Sequence, residues 1–238
     1  MVGCVVFLSA IVAGLIQAVT GFGSGIFMMM FFPAFFPLLS ASALSSSIGL
    51  MITGGIAWRY RKYCRLKLTL FPAVFYILSS SAAMSLAPYM PTDLLRKIFG
   101  FFLVVLSIYF ILSVNALKVK ASLPMAVFCS SLSGIVGGLF GISGPPMVIY
   151  FLAVLPEKKS YLGTIELFFF FTGIYNLVFR IFAGIYGVNL VVYTLLGMAA
   201  VWIGMFVGDK IVNRMDVVIM KKVIYVFLGL SGLLNIFK

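Results

Sequence analysis

The chain is built from long apolar runs that are separated by short polar or glycine-rich interruptions. Most runs hold close to 20 residues, the length that an α-helix needs to cross about 30 Å of hydrocarbon. Continuous runs of this kind, without the alternation of a half-buried strand, predict membrane-spanning helices. Ten runs can be counted, at residues 2–19, 22–38, 41–58, 68–88, 94–117, 123–140, 145–155, 161–182, 190–208 and 217–237.

The second and the seventh run are short, and each follows a glycine-rich interruption. A backbone that breaks at membrane depth is tolerated only where protein or a water-filled cavity surrounds it. Broken helices of this kind form the binding sites of many secondary transporters. We therefore expect the runs at 22–38 and 145–155 to be broken or re-entrant helices, unless they cross fully.

Basic residues concentrate in the interruptions, and the densest group lies between the third and fourth runs, at Arg59, Arg61, Lys62, Arg65 and Lys67. Lysine and arginine accumulate in cytoplasmic loops, so this loop is predicted to be cytoplasmic. Alternate crossing then puts the basic residues at 118–120, 158–159 and 210–214 on the same side. The opposite loops, at 36–40, 87–92 and 184–189, hold almost no charge. This pattern predicts a multi-pass protein of the cytoplasmic membrane with both termini on the outer side.

The two halves of the chain, residues 1–117 and 118–238, show a weak internal repeat. A shift of 120 residues aligns 14–21 with 134–141, and slightly larger shifts align 81–85 with 204–208 and 96–97 with 221–222. Five runs per half is an odd number, so the second half would enter the membrane from the opposite side. Four runs per half would give parallel repeats instead. The charge pattern favours five, and we predict an all-α membrane domain of two inverted five-segment repeats.

Composition agrees with a membrane protein, since 63% of the 238 residues are hydrophobic and only 9% are charged. A soluble domain carries about 25% charged residues. The net charge of +12 would suggest a nucleic-acid partner in a soluble protein, but here the positions of the charges make them topology signals. There is no histidine, and the three cysteines are far apart, so no metal site, cofactor or enzymatic constellation is predicted.

The two glycine-rich interruptions are the first candidate site. Glycine costs about 1 kcal/mol and proline about 3 kcal/mol inside a helix, so the helix should break at both places. A break exposes backbone N–H groups and the positive end of the following helix, which together can bind an anion. The alternative is that the glycines only allow close helix packing. Because the motif recurs in both halves, we expect substrate contacts from Gln17, Thr20, Gly21, Phe22, Gly23, Ser24 and Gly25 and from Gly141, Ile142, Ser143, Gly144 and Pro145.

Polar residues within the eighth run are the second candidate. Glu166 is the acid that lies well inside an apolar run, where such a group is costly and usually functional. It could couple transport to protons, or it could pair with a lysine of the preceding loop. Asn176 and Arg180 fall on roughly the same helix face. Arg180 could meet an anion or extend to the outer headgroups. The serine-rich stretch at 40–47 indicates close helix packing or, alternatively, a polar path.

These motifs give the chain a resemblance to a known family. The stretch at 14–25 with Pro33, its repetition at 134–146, the basic loop and the small-residue segments at 81–85 and 204–208 resemble the TauE/SafE family of sulfite exporters. The resemblance implies secondary transport of small sulfur-containing anions, such as sulfite, sulfoacetate or other organosulfonates, by alternating access. A transporter of another small anion or metabolite, or a non-transporting scaffold subunit, stays an alternative. The sequence leaves the direction of transport, the coupling ion and the oligomeric state open.

Overall fold

A computed structural model describes residues 1–112 and 122–211, together with residues 229, 232 and 233. Throughout these residues the regular elements are helical, which confirms the all-α prediction. The nine long or medium helices are α1 (Val2–Thr20), α2 (Ser24–Phe31), α3 (Leu38–Arg59), α4 (Leu66–Leu86), α5 (Thr92–Leu112), α6 (Leu123–Phe140), α7 (Gly144–Val154), α8 (Lys158–Phe182) and α9 (Asn189–Ile211). Short 3-10 turns occupy Phe32–Ala34, Arg61–Tyr63 and Ala87–Tyr89. The tenth predicted run, at 217–237, lies outside the described residues except at the three positions above.

Five of the described helices are long and apolar enough to cross a membrane by length and composition, and they correspond to α3, α4, α6, α8 and α9. The helices α2 and α7 hold 8 and 11 residues. At a rise of about 1.5 Å per residue they are roughly 12 and 16 Å long, far short of the hydrocarbon thickness. They are therefore the short segments that the second and seventh runs predicted, and neither crosses the membrane as one helix.

The outer surfaces of the long helices are apolar. On α4, Leu70, Val74 and Leu78 follow one another at four-residue intervals and are each more than half exposed. Such a stripe would be costly in water and is suited to contact with lipid chains. The central helix α3 is different, because Leu44, Ile48 and Ile52 are completely buried among the other helices. The chain is thus a multi-pass membrane protein with α3 near its centre.

Glycines set the closest helix contacts. Gly14 of α1 faces the backbone of Val201 on α9, and a Cβ at Gly14 would lie 2.7 Å from the Val201 carbonyl oxygen. Gly134 of α6 faces the backbone of Tyr76 on α4 in the same manner. Without side chains at these positions the helix backbones can approach closely, which is how small residues stabilise helix pairs in membranes. The sequence repeat paired Gly14 with Gly134, and both glycines serve this packing role.

The helices in these pairs run in defined directions. On α1 and α9, Gly3 faces Leu196 and Leu15 faces Gly208, so the two helices are parallel. The pair α4 and α6 is parallel for the same reason, since Gly138 packs against Ser80, one turn beyond the Gly134 contact. The arrangement of α1 on α9 thus matches that of α6 on α4.

Two of the long helices, α3 and α8, run antiparallel across the centre. The backbone of Tyr60, at the end of α3, packs on Gly163 near the start of α8. Ser46 near the start of α3 bonds to Arg180 near the end of α8. The middle of α3 therefore faces the middle of α8, and these two stretches form opposite walls of one internal space.

Candidate functional site

The two predicted breaks have the same local geometry. The helix α1 ends at Gly21, which has φ +77° and donates its N–H to the Gln17 carbonyl at 2.8 Å. The helix α6 ends at Gly141, which has φ +70° and donates its N–H to the Gly137 carbonyl at 3.0 Å. Both are left-handed helix caps, a conformation in which glycine carries no steric penalty. The recurrence of glycine in the two halves therefore reflects the same requirement for a helix stop.

The two breaks touch each other. A Cβ at Gly25 would lie 2.7 Å from the Gly141 carbonyl oxygen, so the first turn of α2 packs directly on the end of α6. On the other side, a Cβ at Gly144 would lie 3.2 Å from the Cβ of Phe22. The two breaks, which stand at matching positions in the two halves of the chain, are thus in direct contact.

A cavity lies where the breaks meet, between the middle of α3 and the middle of α8. The space open to the centres of water-sized molecules is about 70 Å³. None of the described residues around it is charged. They are Gln17, Phe22, Gly23, Ser24, Gly25 and Ile26 of the first break, Gly141, Ile142, Ser143 and Gly144 of the second, Ser45, Ser46, Gly49, Leu50 and Thr53 of α3, Tyr76 of α4, and Phe169, Thr172, Gly173 and Asn176 of α8.

The predicted site residues divide into two groups. Ten of them line the cavity, and Thr20, Gly21, Pro145, Glu166 and Arg180 do not. The cavity-lining residues of α3 and α4 were absent from the prediction, as were Phe169, Thr172 and Gly173 of α8. On α3 the serine-rich stretch at 40–47 was a signal of such lining residues, because a polar path is the alternative to close packing for these serines. Its members Ser45 and Ser46 line the cavity, whereas Ser42 and Ser47 are buried away from it.

Thr20 and Pro145 shape the breaks from behind. The Thr20 hydroxyl donates to the carbonyls of Ile16 and Phe22, at 2.8 and 2.6 Å, and so holds the loop after α1. Pro145 is buried in the first turn of α7, where its missing N–H would have no partner within the helix. Both residues determine the shape of the cavity without reaching it.

A chain of hydrogen bonds from α4 and α8 ends at the second break. The Ser80 hydroxyl donates to Asn176 Oδ1 at 2.7 Å, and Asn176 Nδ2 donates to the Tyr76 hydroxyl at 2.8 Å. The hydroxyl oxygens of Tyr76 and Ser143 lie 2.7 Å apart. These two hydroxyls own one hydrogen each, and their mutual bond uses only one of the two. The other hydrogen can be donated to an acceptor in the cavity, which both residues line.

Ser45 offers a second donor. Its Oγ is buried and has no hydrogen-bond partner among the residues that the structure describes, although its neighbour Ser47 donates to the Ala43 carbonyl at 2.8 Å. Buried polar groups without partners are rare in folded proteins and call for an explanation. Ser45 lines the cavity, so a bound molecule with an acceptor atom would satisfy it.

Glu166 is completely buried beside the first break. Gln17 Nε2 lies 2.9 Å from one of its carboxyl oxygens and 3.2 Å from the other. The Oε1 atom of Gln17 accepts from the backbone N–H of Ser24 at 3.3 Å and also from the Ser24 hydroxyl. The expected alternative, a pair with a lysine of the preceding loop, is not formed. Glu166 does not line the cavity itself, but its hydrogen-bond partner Gln17 does.

Arg180 is also completely buried, so its extension to the outer headgroups was the wrong alternative. Its Nη1 donates to the Ser42 carbonyl at 3.1 Å and to the Ser46 hydroxyl at 2.7 Å. Its Nη2 donates to the carbonyls of Gly137 and Gly138, at 3.1 and 2.8 Å. All four acceptors are neutral. The guanidinium therefore caps the end of α6 behind the second break, and it contacts the cavity wall through Ser46.

Comparisons with known proteins agree with this architecture. The family model described as "Sulfite exporter TauE/SafE" matches residues 6–234. The chain is 25% identical over 247 residues to the protein named "Probable membrane transporter protein YdhB" of Bacillus subtilis (strain 168), with 98% of both chains covered. No solved structure matches the chain.

Proposed function

The chain belongs to the sulfite exporter TauE/SafE family, and from this premise we propose that it is a secondary transporter of small sulfur-containing anions. Membership of this family and the similarity to a probable membrane transporter support membrane transport as the activity. The proposal adds the substrate class, which is sulfite, sulfoacetate or another short organosulfonate, and adds the cavity between the two breaks as the binding site.

The observation that carries the proposal is a small neutral cavity with unused hydrogen-bond donors at the middle of the helix bundle. One water needs about 10–15 Å³ of the space measured above, so the cavity has room for on the order of five waters. That volume suits sulfite or a short organosulfonate. The hydroxyl of Ser45 and the free hydrogen of the Tyr76–Ser143 pair can donate to its oxygens.

Two further features favour an anion in this cavity. The helix α2 begins at Ser24 and presents the positive end of its dipole to the space. Arg180 places a buried cation behind Ser46, and its hydrogen-bond partners are neutral. In a water-poor environment such a charge acts over several ångströms. The cavity walls thus supply donors, and the cation and the dipole supply an attractive potential.

The arrangement of the helices supports alternating access. Suppose that α1, α3 and α4 of the first half correspond to α6, α8 and α9 of the second half. The contact of α1 with α9 then corresponds to the contact of α6 with α4. The corresponding helices α3 and α8 run antiparallel, so the axis that relates them is perpendicular to both helices. An axis in the membrane plane produces an inverted repeat, as in many transporters whose halves rock around a central site. Two parallel repeats would instead make α3 and α8 parallel.

The transport test is designed around Gly49 of α3. A Cβ at Gly49 would meet no atom within 4 Å, and this residue lines the cavity. Gly49→Leu should therefore fill the cavity without disturbing the helices around it. Gly187 serves as the control, because a Cβ there also meets open space and the residue lies in the loop before α9. In proteoliposomes loaded with radiolabelled sulfite or sulfoacetate, Gly49→Leu should stop flux and Gly187→Leu should not. Unchanged flux in Gly49→Leu would remove the proposed site.

We also propose that the protein lies in the cytoplasmic membrane with the Arg61–Tyr63 turn inside. Native Cys64 is a poor probe of this loop, because burial raises the pKa of its thiol and Sγ donates to the Gly163 carbonyl at 3.2 Å. Lys62→Cys and Tyr89→Cys, each in a variant without native cysteines, place exposed thiols on opposite sides. A membrane-impermeant maleimide should label Tyr89→Cys in intact cells and Lys62→Cys only after permeabilisation. The reverse result would invert the topology.

Glu166 is the proposed proton-coupling residue of this transporter. It is buried, its hydrogen-bond partner among the described residues is Gln17, and that one side chain separates it from the cavity. A pH gradient should drive anion flux in the wild type and not in Glu166→Gln, measured in the same proteoliposomes. Equal gradient dependence of the two proteins would contradict this role.

A further inference from the structure

Among the described residues, Gln17 is the side chain whose hydrogen bonds connect the buried acid with the cavity. Its Nε2 atom donates to both carboxyl oxygens of Glu166, and its Oε1 atom accepts two hydrogen bonds from Ser24. Gln17 and Ser24 line the cavity, and Glu166 does not. Any change at Glu166 that rotates the amide would therefore change which donors Ser24 can offer to a bound anion.

The orientation of the amide is fixed by its partners. A backbone N–H can only donate, so the Gln17 atom nearest the Ser24 N–H must be the oxygen. The nitrogen then faces Glu166, which has to accept. This arrangement suits an ionised carboxylate. In this orientation the Gln17 oxygen also accepts from both the backbone N–H and the hydroxyl of Ser24, the first residue of α2.

We propose that Gln17 acts as an amide relay that makes anion binding in the cavity depend on protonation of Glu166. When the carboxylate takes up a proton from solvent, its new O–H becomes a donor. The amide then turns over, so that Oε1 accepts from Glu166 and Nε2 faces Ser24. The Ser24 hydroxyl then accepts from Nε2, so its own hydrogen is released toward the cavity, while the backbone N–H of Ser24 cannot turn and loses its acceptor. This inference rests on the proposed function and specifies how its proton and its anion are linked.

Glu166 is the group that titrates in this scheme, because its surroundings supply few competitors. Tyr161, less than two turns earlier on α8, interacts electrostatically with Glu166. The buried Tyr76 of α4 bonds to Ser143 and Asn176 instead, and Tyr150 of α7 stacks beside Phe151. The facing parts of α1 and α3 carry no acid or base before the basic loop at 59–67. That loop approaches α8 closer to Glu166, because the Arg65 backbone N–H donates to Thr164 Oγ1 at 3.0 Å and Cys64 Sγ donates to the Gly163 carbonyl at 3.2 Å. The lysines at 158–159 lie about two turns from Glu166 along α8.

The relay predicts a direction and a stoichiometry. Protonation frees the hydroxyl hydrogen of Ser24 and removes a negative charge beside the cavity, so anion affinity should rise as the pH falls. The gain should be at least about tenfold, which is the effect of one hydrogen bond to a charged group. Linkage is reciprocal, so binding of the anion must promote uptake of a proton. One proton should enter the protein with each anion.

The experiment measures methanesulfonate binding to the purified full-length protein by calorimetry across a pH series, and proton uptake with an indicator dye. The sulfonate stays ionised throughout, so a pH effect belongs to the protein. Wild type should bind more tightly at low pH and take up one proton per anion. Glu166→Gln should bind with no pH dependence and no uptake. Gln17→Met should lose the part of the pH dependence that passes through Ser24 and keep the part due to the charge of Glu166, and the double variant should match Glu166→Gln. Tyr161→Phe should behave as wild type.

The variant Gln17→Glu provides a rescue. It keeps an acceptor for Ser24 and can share a proton with Glu166, so it should regain pH-dependent binding that Gln17→Met has lost. If Gln17→Met keeps the wild-type pH dependence while Glu166→Gln loses it, the relay is wrong. The same holds if folded Gln17→Met, judged by size-exclusion chromatography, binds no anion at any pH, since Gln17 would then hold the anion directly. A wild type that binds neither methanesulfonate nor sulfite would overturn the proposed function itself, and the relay with it.

Discussion

Replacement of Arg180 by methionine tests the electrostatic part of the site. Methionine has a long unbranched side chain, so it removes the cation and its donors while it keeps much of the packing. The cost of this substitution to the free energy of unfolding depends on which acceptors of Arg180 keep another hydrogen-bond donor. The Ser42 carbonyl keeps the Ser46 hydroxyl as a donor at 2.7 Å, and the Gly137 carbonyl keeps the Gly141 N–H at 3.0 Å.

The Gly138 carbonyl is the acceptor for which no second donor is described. Leaving one buried carbonyl unpaired costs about 1–3 kcal/mol. The desolvation of the guanidinium is relieved at the same time, which limits the loss. Arg180→Met should therefore lower the free energy of unfolding by roughly 1–3 kcal/mol and still fold.

The effect on anion affinity follows from distance. The guanidinium nitrogen lies 2.7 Å from Ser46 Oγ, which lines the cavity. An anion in contact with Ser46 would then lie about 6 Å from the cation, where Coulomb attraction is about 3 kcal/mol at an effective dielectric of 20 and below about 1 kcal/mol in water. Arg180→Met should weaken anion binding by about tenfold to a hundredfold.

Arg180→Lys separates the two contributions. Lysine keeps the positive charge, but its single nitrogen cannot span the acceptors on α3 and α6 as the planar guanidinium does. This variant should bind the anion nearly as wild type and unfold at a lower temperature. The assays are calorimetric titration with methanesulfonate and thermal unfolding in detergent followed by intrinsic fluorescence. Wild-type affinity in Arg180→Met would refute the reasoning, because the buried cation would then not act on the cavity.

Two further predictions test the cavity wall and the contact between the breaks. Ser45→Ala should weaken anion binding by about tenfold, the worth of one hydrogen bond to a charged group, and should not lower stability, because its hydroxyl has no partner within the described part of the chain. Ser47→Ala, with its hydroxyl bonded within α3, should leave affinity unchanged in the same calorimetric titration, and equal affinities in the two variants would argue against Ser45 as a ligand. Gly25→Ala should separate the breaks and reduce flux strongly, since its Cβ would lie 2.7 Å from the Gly141 carbonyl oxygen. Gly3→Ala, with only an ordinary side-chain contact at 3.5 Å, should transport as wild type, so normal flux in both alanine variants would show that the close approach is dispensable.

The sequence was informative about the breaks for a local reason. A helix stops where a residue must adopt positive φ, and Gly21 and Gly141 mark those places in the chain itself. The order of elements followed from the apolar runs in the same way, because the length of hydrocarbon to be crossed fixes the length of a helix. These features depend on the residue and its immediate neighbours, and they were predicted within the described ranges.

The side walls of the cavity lacked such a local signal. The helix α3 is buried around most of its circumference, so no polar stripe distinguishes Ser45, which faces the cavity, from Ser47, which does not. Tyr76 is one aromatic residue in an apolar helix, and its role depends on Asn176 and Ser143, which lie 100 and 67 residues away in the chain. Pairing across such separations is decided by how helices pack.

The sequence by itself determined that this chain is a membrane protein. It also determined at which residues the helices break and which charges within apolar runs needed an explanation. Only the tertiary structure decided what those charges do. Arg180 caps α6 and Glu166 joins Gln17, because in a medium without water a polar group must take the partners that packing brings within reach. The length of an apolar run can be determined from neighbouring residues in a sequence, but hydrogen-bond partners across a helix bundle cannot.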